Sequence, residues 1–169
     1  MPISMYQASV PVFVHGLSVL SHLLRQGEAH ARDTGIDPAT LVDARLAPDM
    51  LTLSGQVQRA SDTSKLSIER LSGVPAPRLE DSEKTFAELY VRIDKTIGYV
   101  KGITEAELTG TESKTIELKL RDFNPTFTGM SYLFTFALPN FYFHITTAYD
   151  ILRHKGVKIG KRDYLQLVT

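Results

Sequence analysis

The chain has 169 residues, with 19 Lys and Arg against 19 Asp and Glu, a formal net charge of zero and no cysteine. That length suits one domain able to bury roughly 70% of its unfolded surface around a single core. The lack of cysteine excludes disulfides, thiolate metal sites and a cysteine nucleophile, and the balanced charge without a long basic run argues against nucleic-acid or membrane partners.

From Ser4 to about Arg32, the residues Val10, Phe13, Val14, Leu17, Leu20 and Leu24 recur at the spacing of one helix face turned to a core. The apolar stretch from Ala8 to Leu24 is interrupted by Pro11, His15, Ser18, Ser21 and His22, and no Lys or Arg precedes it. It reads as neither a signal peptide nor a membrane span, and a soluble, cytoplasmic protein is expected. The other side of this helix carries a second, partly apolar stripe of Val12, His15, Val19, His22 and Leu23. Such a stripe must meet either another helix or a second copy of the chain, and a two-fold homodimer is the expected partner.

In "DTGIDPAT", Gly35 can end the first helix, and Asp37 with Pro38 can start a short one. The segment "ARLAPDMLTLSGQVQRASDTSKLSIERLSGV" then reads as the second long helix, with Pro48 at a first helical position and Met50, Leu53, Val57, Ile68 and Leu71 on one face. Between Val57 and Ile68 the core side carries only the small Ala60, Ser61 and Ser64, so either a neighbour fills that space or a pocket sits there. "PAPRLEDSE" is a linker, and the third long helix follows with Phe86, Leu89, Ile93, Thr96, Ile97 and Val100. Thr85 with Glu88 fits a capping box, with Asp81 or Ser82 as earlier alternatives.

The period changes in "TIELKL", where Ile116, Leu118 and Leu120 share one face of a short strand, and "RDFNP" can turn the chain back into "TFT". A last long helix runs from about Met130 to Lys155 and ends at Gly156. Tyr164, Leu165 and Leu167 suggest that the tail, about 157–169, packs back on it. The expected fold is a mainly α, single-domain four-helix bundle with a short β-hairpin before the last long helix.

One histidine stands in the most aromatic part of the chain, "LPNFYFHITTAYDILRHKGV". At 100° per residue, Leu133, Ala137, Phe141, Ala148 and Ile151 fall within about 60° of His144, so the imidazole points into the bundle. Asn140 and Thr147 lie on the same side, and His144 is either a satisfied core histidine or a ligand-binding group. Pro139 cannot donate to the carbonyl of Thr135, so the helix kinks or restarts there. The candidate ligand pocket comprises His144, Asn140, Thr147, Gln58, Ser61 and Phe141, near Ser64. Tyr132, Tyr142, Phe143 and Tyr149 serve as apolar walls or as plain core.

Other groups offer less chemistry. His15 and His22 are two turns apart, about 10 Å along the axis. His154, between Arg153 and Lys155, suits a helix C-terminus. Asp49, Glu69, Glu83 and Glu88 lack the E-x-x-H pairing of di-iron bundles. No H-E-x-x-H, G-x-S-x-G, P-loop or dinucleotide fingerprint is present, and no catalytic residue is assigned.

The blocks "SMYQASVPVF", "ARLAPDMLTLSGQVQRASD" and "FTGMSYLFTFALPNFYFHITTAYDILRHKGVKIGKRDYL" resemble an uncharacterised family within the DinB/YfiT-like superfamily, over nearly the whole chain. The resemblance implies a four-helix bundle, often dimeric, in which many members hold a divalent metal with three histidines. One of these comes from the second helix and two from an H-x-x-x-H pair on the last. Activities in that superfamily include thiol-dependent transferases and isomerases. His144 matches the first position of the pair, but Ala148 stands at the second. No histidine lies between Pro48 and Gly73, where Gln56, Gln58 and Asp62 are the nearest polar residues. No cofactor is therefore expected, with zinc or nickel at His144 as the alternative. Three functions follow: a metal-free bundle that binds a small molecule; a transferase, isomerase or hydrolase with a degenerate site at His144; or a dimeric interaction protein.

Overall fold

Helix α1, Met5–Thr34, begins where the hydroxyl of Ser4 accepts from the backbone of Gln7 while the Gln7 side chain accepts from the backbone of Ser4. This capping box satisfies donors that a helix start leaves orphaned. Gly35 ends the helix at φ 71°, a left-handed conformation that costs glycine little. Helix α2, Pro38–Val42, starts as expected, with the Asp37 carboxylate accepting from the backbone of Ala39. The structure, a computed structural model, describes residues 3–119 and 123–167. Leu120, Arg121 and Asp122 of the expected hairpin, and Val168 and Thr169 of the tail, lie outside the described residues.

Helix α3, Leu53–Ser72, starts five residues later than Pro48. Arg45 pairs with Thr52 in an isolated antiparallel bridge, the Leu53 amide donates to Ala44, and the Thr52 hydroxyl caps the amide of Gly55. These bonds hold Pro48 and Met50 in the approach to the helix, and leave Leu53, Val57, Ile68 and Leu71 as its buried face. The small stretch Ala60, Ser61 and Ser64 is fully buried, and the Ser61 and Thr96 hydroxyls are 2.8 Å apart. The small side chains let the next long helix, α4, Phe86–Lys101, come close enough to close the space. Helix α4 starts from the Thr85 and Glu88 capping box.

Helix α5, Glu105–Leu108, and a short turn at Thr111–Ser113 lead to strand β1, Thr115–Glu117, which pairs antiparallel with β2, Thr126–Thr128. Ile116 lies opposite Phe127, and Ile116 and Leu118 are buried. Helix α6, Gly129–Tyr132, runs through a π turn, Leu133–Ala137, into α7, Leu138–His154. The amide of Leu138 donates to Leu133, five residues back. Pro139 therefore sits in the first turn of α7, where a missing donor breaks little.

The four long helices α1, α4, α3 and α7 form a ring in that order, each packed on the next. Phe13 meets Phe141 edge-on at 5.0 Å, and Gly16 lies against Phe141 and Ile145. Helix α1 is the one helix among the described residues long and apolar enough to cross a membrane, and half of its most apolar window is buried in the bundle.

The tail folds back. Val157 and Ile159 are buried, and α8, Lys161–Tyr164, lies along α1. Asp163 is 3.4 Å from Nε2 of His22, and the Tyr164 hydroxyl is 3.0 Å from that of Thr146. Of the stripe Val12, His15, Val19, His22 and Leu23, the apolar Val19 and Leu23 are thus buried within one chain, while His15 is exposed. The stripe meets another segment of its own chain, and by itself gives no reason for a second copy.

Candidate functional site

Helices α3 and α7 run antiparallel, and a cleft of about 260 Å³ lies between them. Helix α3 supplies Arg59, Asp62, Thr63, Leu66 and Arg70, at the three- and four-residue steps that share a helix face. The facing run supplies Tyr132, Phe136, Asn140 and His144, each four residues after the last. In an unbroken α-helix three such steps would drift by about 120°. The wider π turn between Tyr132 and Leu138 offsets part of that drift, so that all four residues reach one cleft.

The imidazole of His144 is held by an amide. Its Nδ1 lies 2.8 Å from Oε1 of Gln56, whose Nε2 donates to the carbonyl of Leu51 at 3.4 Å. That second bond turns the amide oxygen toward the ring, so Nδ1–H donates and Nε2 is left as an acceptor. Burial, then the nearby positive charge of Arg59, pushes the pKa of His144 down to about 4, and the ring is neutral at pH 7. One turn away, Asn140 donates to the hydroxyl of Thr63 at 2.9 Å, and among the described residues its oxygen takes no donor. At the other end, Nη1 of Arg70 donates to the Tyr132 hydroxyl at 3.1 Å, with the guanidinium 5.9 Å above that ring.

Along one wall of this cleft an ion cluster centred on the buried Arg92 ties the linker to α3 and α4. Arg92, its side chain 1% exposed, donates to Asp62 at 2.8 Å, Glu83 at 2.9 Å and the carbonyl of Glu80 at 2.9 Å, and forms an ion pair with Asp81 at 3.0 Å. Asp62 also takes Lys65 at 3.0 Å and Arg59 at 3.1 Å, and Arg59 reaches Asp81 as well. Burial alone would raise the pKa of Glu83, but hydrogen bonds from Arg92 and Gln58 outweigh it and hold the carboxyl below its ordinary range.

Of the six residues expected to form a pocket, His144 and Asn140 meet in the cleft. Thr147 donates to the carbonyl of Phe143 in its own helix, and Gln58 donates to Glu83 on the linker side. Ser61 pairs with Thr96, and Phe141 packs into the core against Phe13. Of the aromatic walls, Tyr132 lines the cleft, Phe143 is exposed and Tyr149 packs on Tyr164. Gln56, Arg59, Thr63, Arg70 and Phe136 were outside the expected set. The four-residue series through Tyr132, Phe136, Asn140 and His144 is the signal that points to Phe136.

The sequence matches the family described as Domain of unknown function (DUF1993) over residues 5–165. The chain belongs to the DUF1993 family. This DUF1993 chain is also similar to the crystal structure of a DinB family member protein from Shewanella denitrificans, with 40% identity and a TM-score of 0.87. The match covers 95% of this chain and 91% of that one. The DinB-like bundle is thereby established for it. No curated protein matches.

The three-histidine metal set implied by the DinB likeness does not fit the DUF1993 chain. Ala148, one turn beyond His144, is fully buried and has no donor atom. Across the cleft, the residue that reaches His144 is an amide, Gln56. Among the described residues, no three His, Asp or Glu side chains come together as a metal-binding group.

Proposed function

We propose that this DUF1993 protein binds a small organic molecule in the cleft between α3 and α7, without using a metal. The observation that carries this reading is the pair of unspent acceptors, Nε2 of His144 and the oxygen of Asn140, set in one cleft above the apolar Leu66 and Phe136. A concave site with an apolar body and a few placed polar groups is the usual form of a small-molecule pocket. The state of His144 favours binding over proton transfer, because a pKa of about 4 makes it a weak base at neutral pH and a steady hydrogen-bond acceptor.

An NMR fragment screen on the full chain tests this. Binders should shift the side-chain signals of Asn140 and Gln56 and the ring signals of His144, and His144→Leu should weaken them. The reading fails if the binders map instead to the larger groove, about 420 Å³, beside Leu79, Ala87 and Val91 at the start of α4. A parallel titration with zinc or nickel should give no stoichiometric uptake. Uptake that is lost on His144→Ala would overturn the metal-free part.

A further inference from the structure

The charges around the cleft say what kind of molecule it takes. Asp62, the one acidic wall residue among the described residues, has both carboxylate oxygens engaged, one by Lys65 and Arg92 and the other by Arg59. Asp62 therefore offers little attraction to a cationic ligand. Arg70 stands differently. It donates from Nη1 to a neutral hydroxyl, that of Tyr132, and among the described residues no carboxylate pairs with it. A guanidinium can bind a carboxylate or phosphate through two parallel donors, so most of the capacity of Arg70 is unspent. The Tyr132 hydroxyl is itself fixed by Ser67 at 2.9 Å, which holds the guanidinium over the aromatic ring at the end of the cleft away from His144. From Tyr132 to His144 the helical run covers about 18 Å at 1.5 Å per residue, and the length of the Arg70 side chain shortens the gap.

We propose that the ligand is a small organic anion, a carboxylate or a phosphate on an apolar body on the order of 10 Å long. The anionic group pairs with Arg70, the body lies over Leu66 and Phe136, and a hydrogen-bond donor at its far end meets Asn140 and His144. This rests on the reading of the cleft as a small-molecule site and adds the class of ligand and its direction.

The test uses para-hydroxycinnamate, its primary amide and phenyl phosphate, each titrated at constant ionic strength against the full chain and followed by NMR. The amide keeps the ring and the hydroxyl but not the charge. The expected result is that the acid binds at least about tenfold more tightly than the amide, in line with a charge-assisted pair. Arg70→Gln should remove that difference by weakening the acid alone, and Arg70→Lys should restore part of it. If phenyl phosphate exceeds the acid by a similar factor and also depends on Arg70, the anion is a phosphate. Equal affinity of acid and amide, with shifts at Asn140, would overturn the anion while leaving the cleft as a binding site. An Arg70→Gln protein that melts normally yet binds the acid unchanged would also overturn it. Shifts of the cleft signals by none of the three probes would sink the proposal and count against the reading beneath it.

Discussion

Gln56 and His144 face each other across α3 and α7, with the amide oxygen 2.8 Å from Nδ1 of the ring. This bond selects the imidazole tautomer. Gln56 is buried, 2% exposed. Replacing it by Leu removes the partner of Nδ1 of His144, which should cost about 1–3 kcal/mol in urea unfolding. The same change should release the ring to its other tautomer, readable in the nitrogen shifts of His144.

Acid should act through the same ring. The pKa of His144 is about 4 in the folded chain against 6.5 unfolded, so the folded state binds fewer protons between these values. Stability should therefore fall as pH drops below about 6.5, and this contribution should level off below about 4. The ring is partly open to solvent, and with screening allowed for the loss is up to roughly 2 kcal/mol. The lowered carboxyl of Glu83 adds a loss of the same sign, but below its ordinary value of 4.5. Comparing urea midpoints of the native chain and His144→Leu from pH 7 to 5 isolates the histidine. Parallel slopes would show that its protonation is not linked to folding.

The linker should be the most sensitive part of the fold to loss of one charge. Arg92 holds Asp62, Asp81 and Glu83 together, and Arg92→Met would leave Glu83, 11% exposed, without its charged partner, while Arg59 and Lys65 still hold Asp62. Removing one partner of a buried ion set costs about 3–5 kcal/mol. In contrast, Arg78 pairs with Glu69 at 3.3 Å with its own side chain 78% exposed, and Arg78→Met should change stability by less than about 1 kcal/mol. Chemical denaturation of both variants checks the contrast, and limited proteolysis should cut Arg92→Met first between residues 74 and 85.

Close packing of α1 on α7 rests on one missing side chain. A Cβ at Gly16 would come within 2.8 Å of Cζ of Phe141 and 3.0 Å of Cδ1 of Ile145. Phe141 is itself held edge-on by Phe13, so it has little room to retreat. Gly16→Ala should improve helix propensity by up to about 1 kcal/mol but lose about 1–3 kcal/mol to overpacking. The net expectation is a lower melting temperature. Pairing it with Phe141→Leu should recover part of the loss.

Much of this fold is legible in the sequence because amphipathic period and caps act locally. Ser4 with Gln7, Asp37 before Pro38 and Thr85 with Glu88 each mark a helix start without help from the rest of the chain. The start of α3 departs from the sequence pattern because Pro48 is a local signal, whereas the bridge from Arg45 to Thr52 that overrides it is a pairing across a turn. The site was legible only where one helix decides it. His144 and Asn140 follow from spacing along α7, but the face of α3 opposite them does not. Gln56 and Gln58 are two residues, or about 200°, apart on that helix. Gln56 turns to α7 and Gln58 to the linker, and the inter-helix packing that decides between them leaves no mark in local composition. Arg92 is hidden within the helical pattern itself. It sits three residues after Leu89 and four before Thr96, on the core face, where a charge is rare and should itself mark a buried ion cluster.

The second stripe of α1 yields a test that separates an interior from an interface. If Val19 faced a second copy, Val19→Glu would split a dimer and leave helicity unchanged. In the folded chain Val19 is 3% exposed, in a small recess of about 90 Å³ lined also by Tyr142, Ile145 and Tyr164. Among the described residues no Lys or Arg lines this recess, whose rim is formed by the exposed His15, and an unpaired buried charge is among the costlier single changes, above about 3 kcal/mol. Val19→Glu should therefore lower the melting temperature sharply and detach α8, freeing Tyr164 from Thr146. His15, one turn earlier and exposed, supplies the control. His15→Glu should leave the circular dichroism melt unchanged, and it is the substitution that would weaken self-association if copies do meet across this face. Sedimentation of both variants beside the native chain reads the two effects apart. A stable Val19→Glu protein with full helicity would show that the recess does not close over Val19 as the packing of α8 requires.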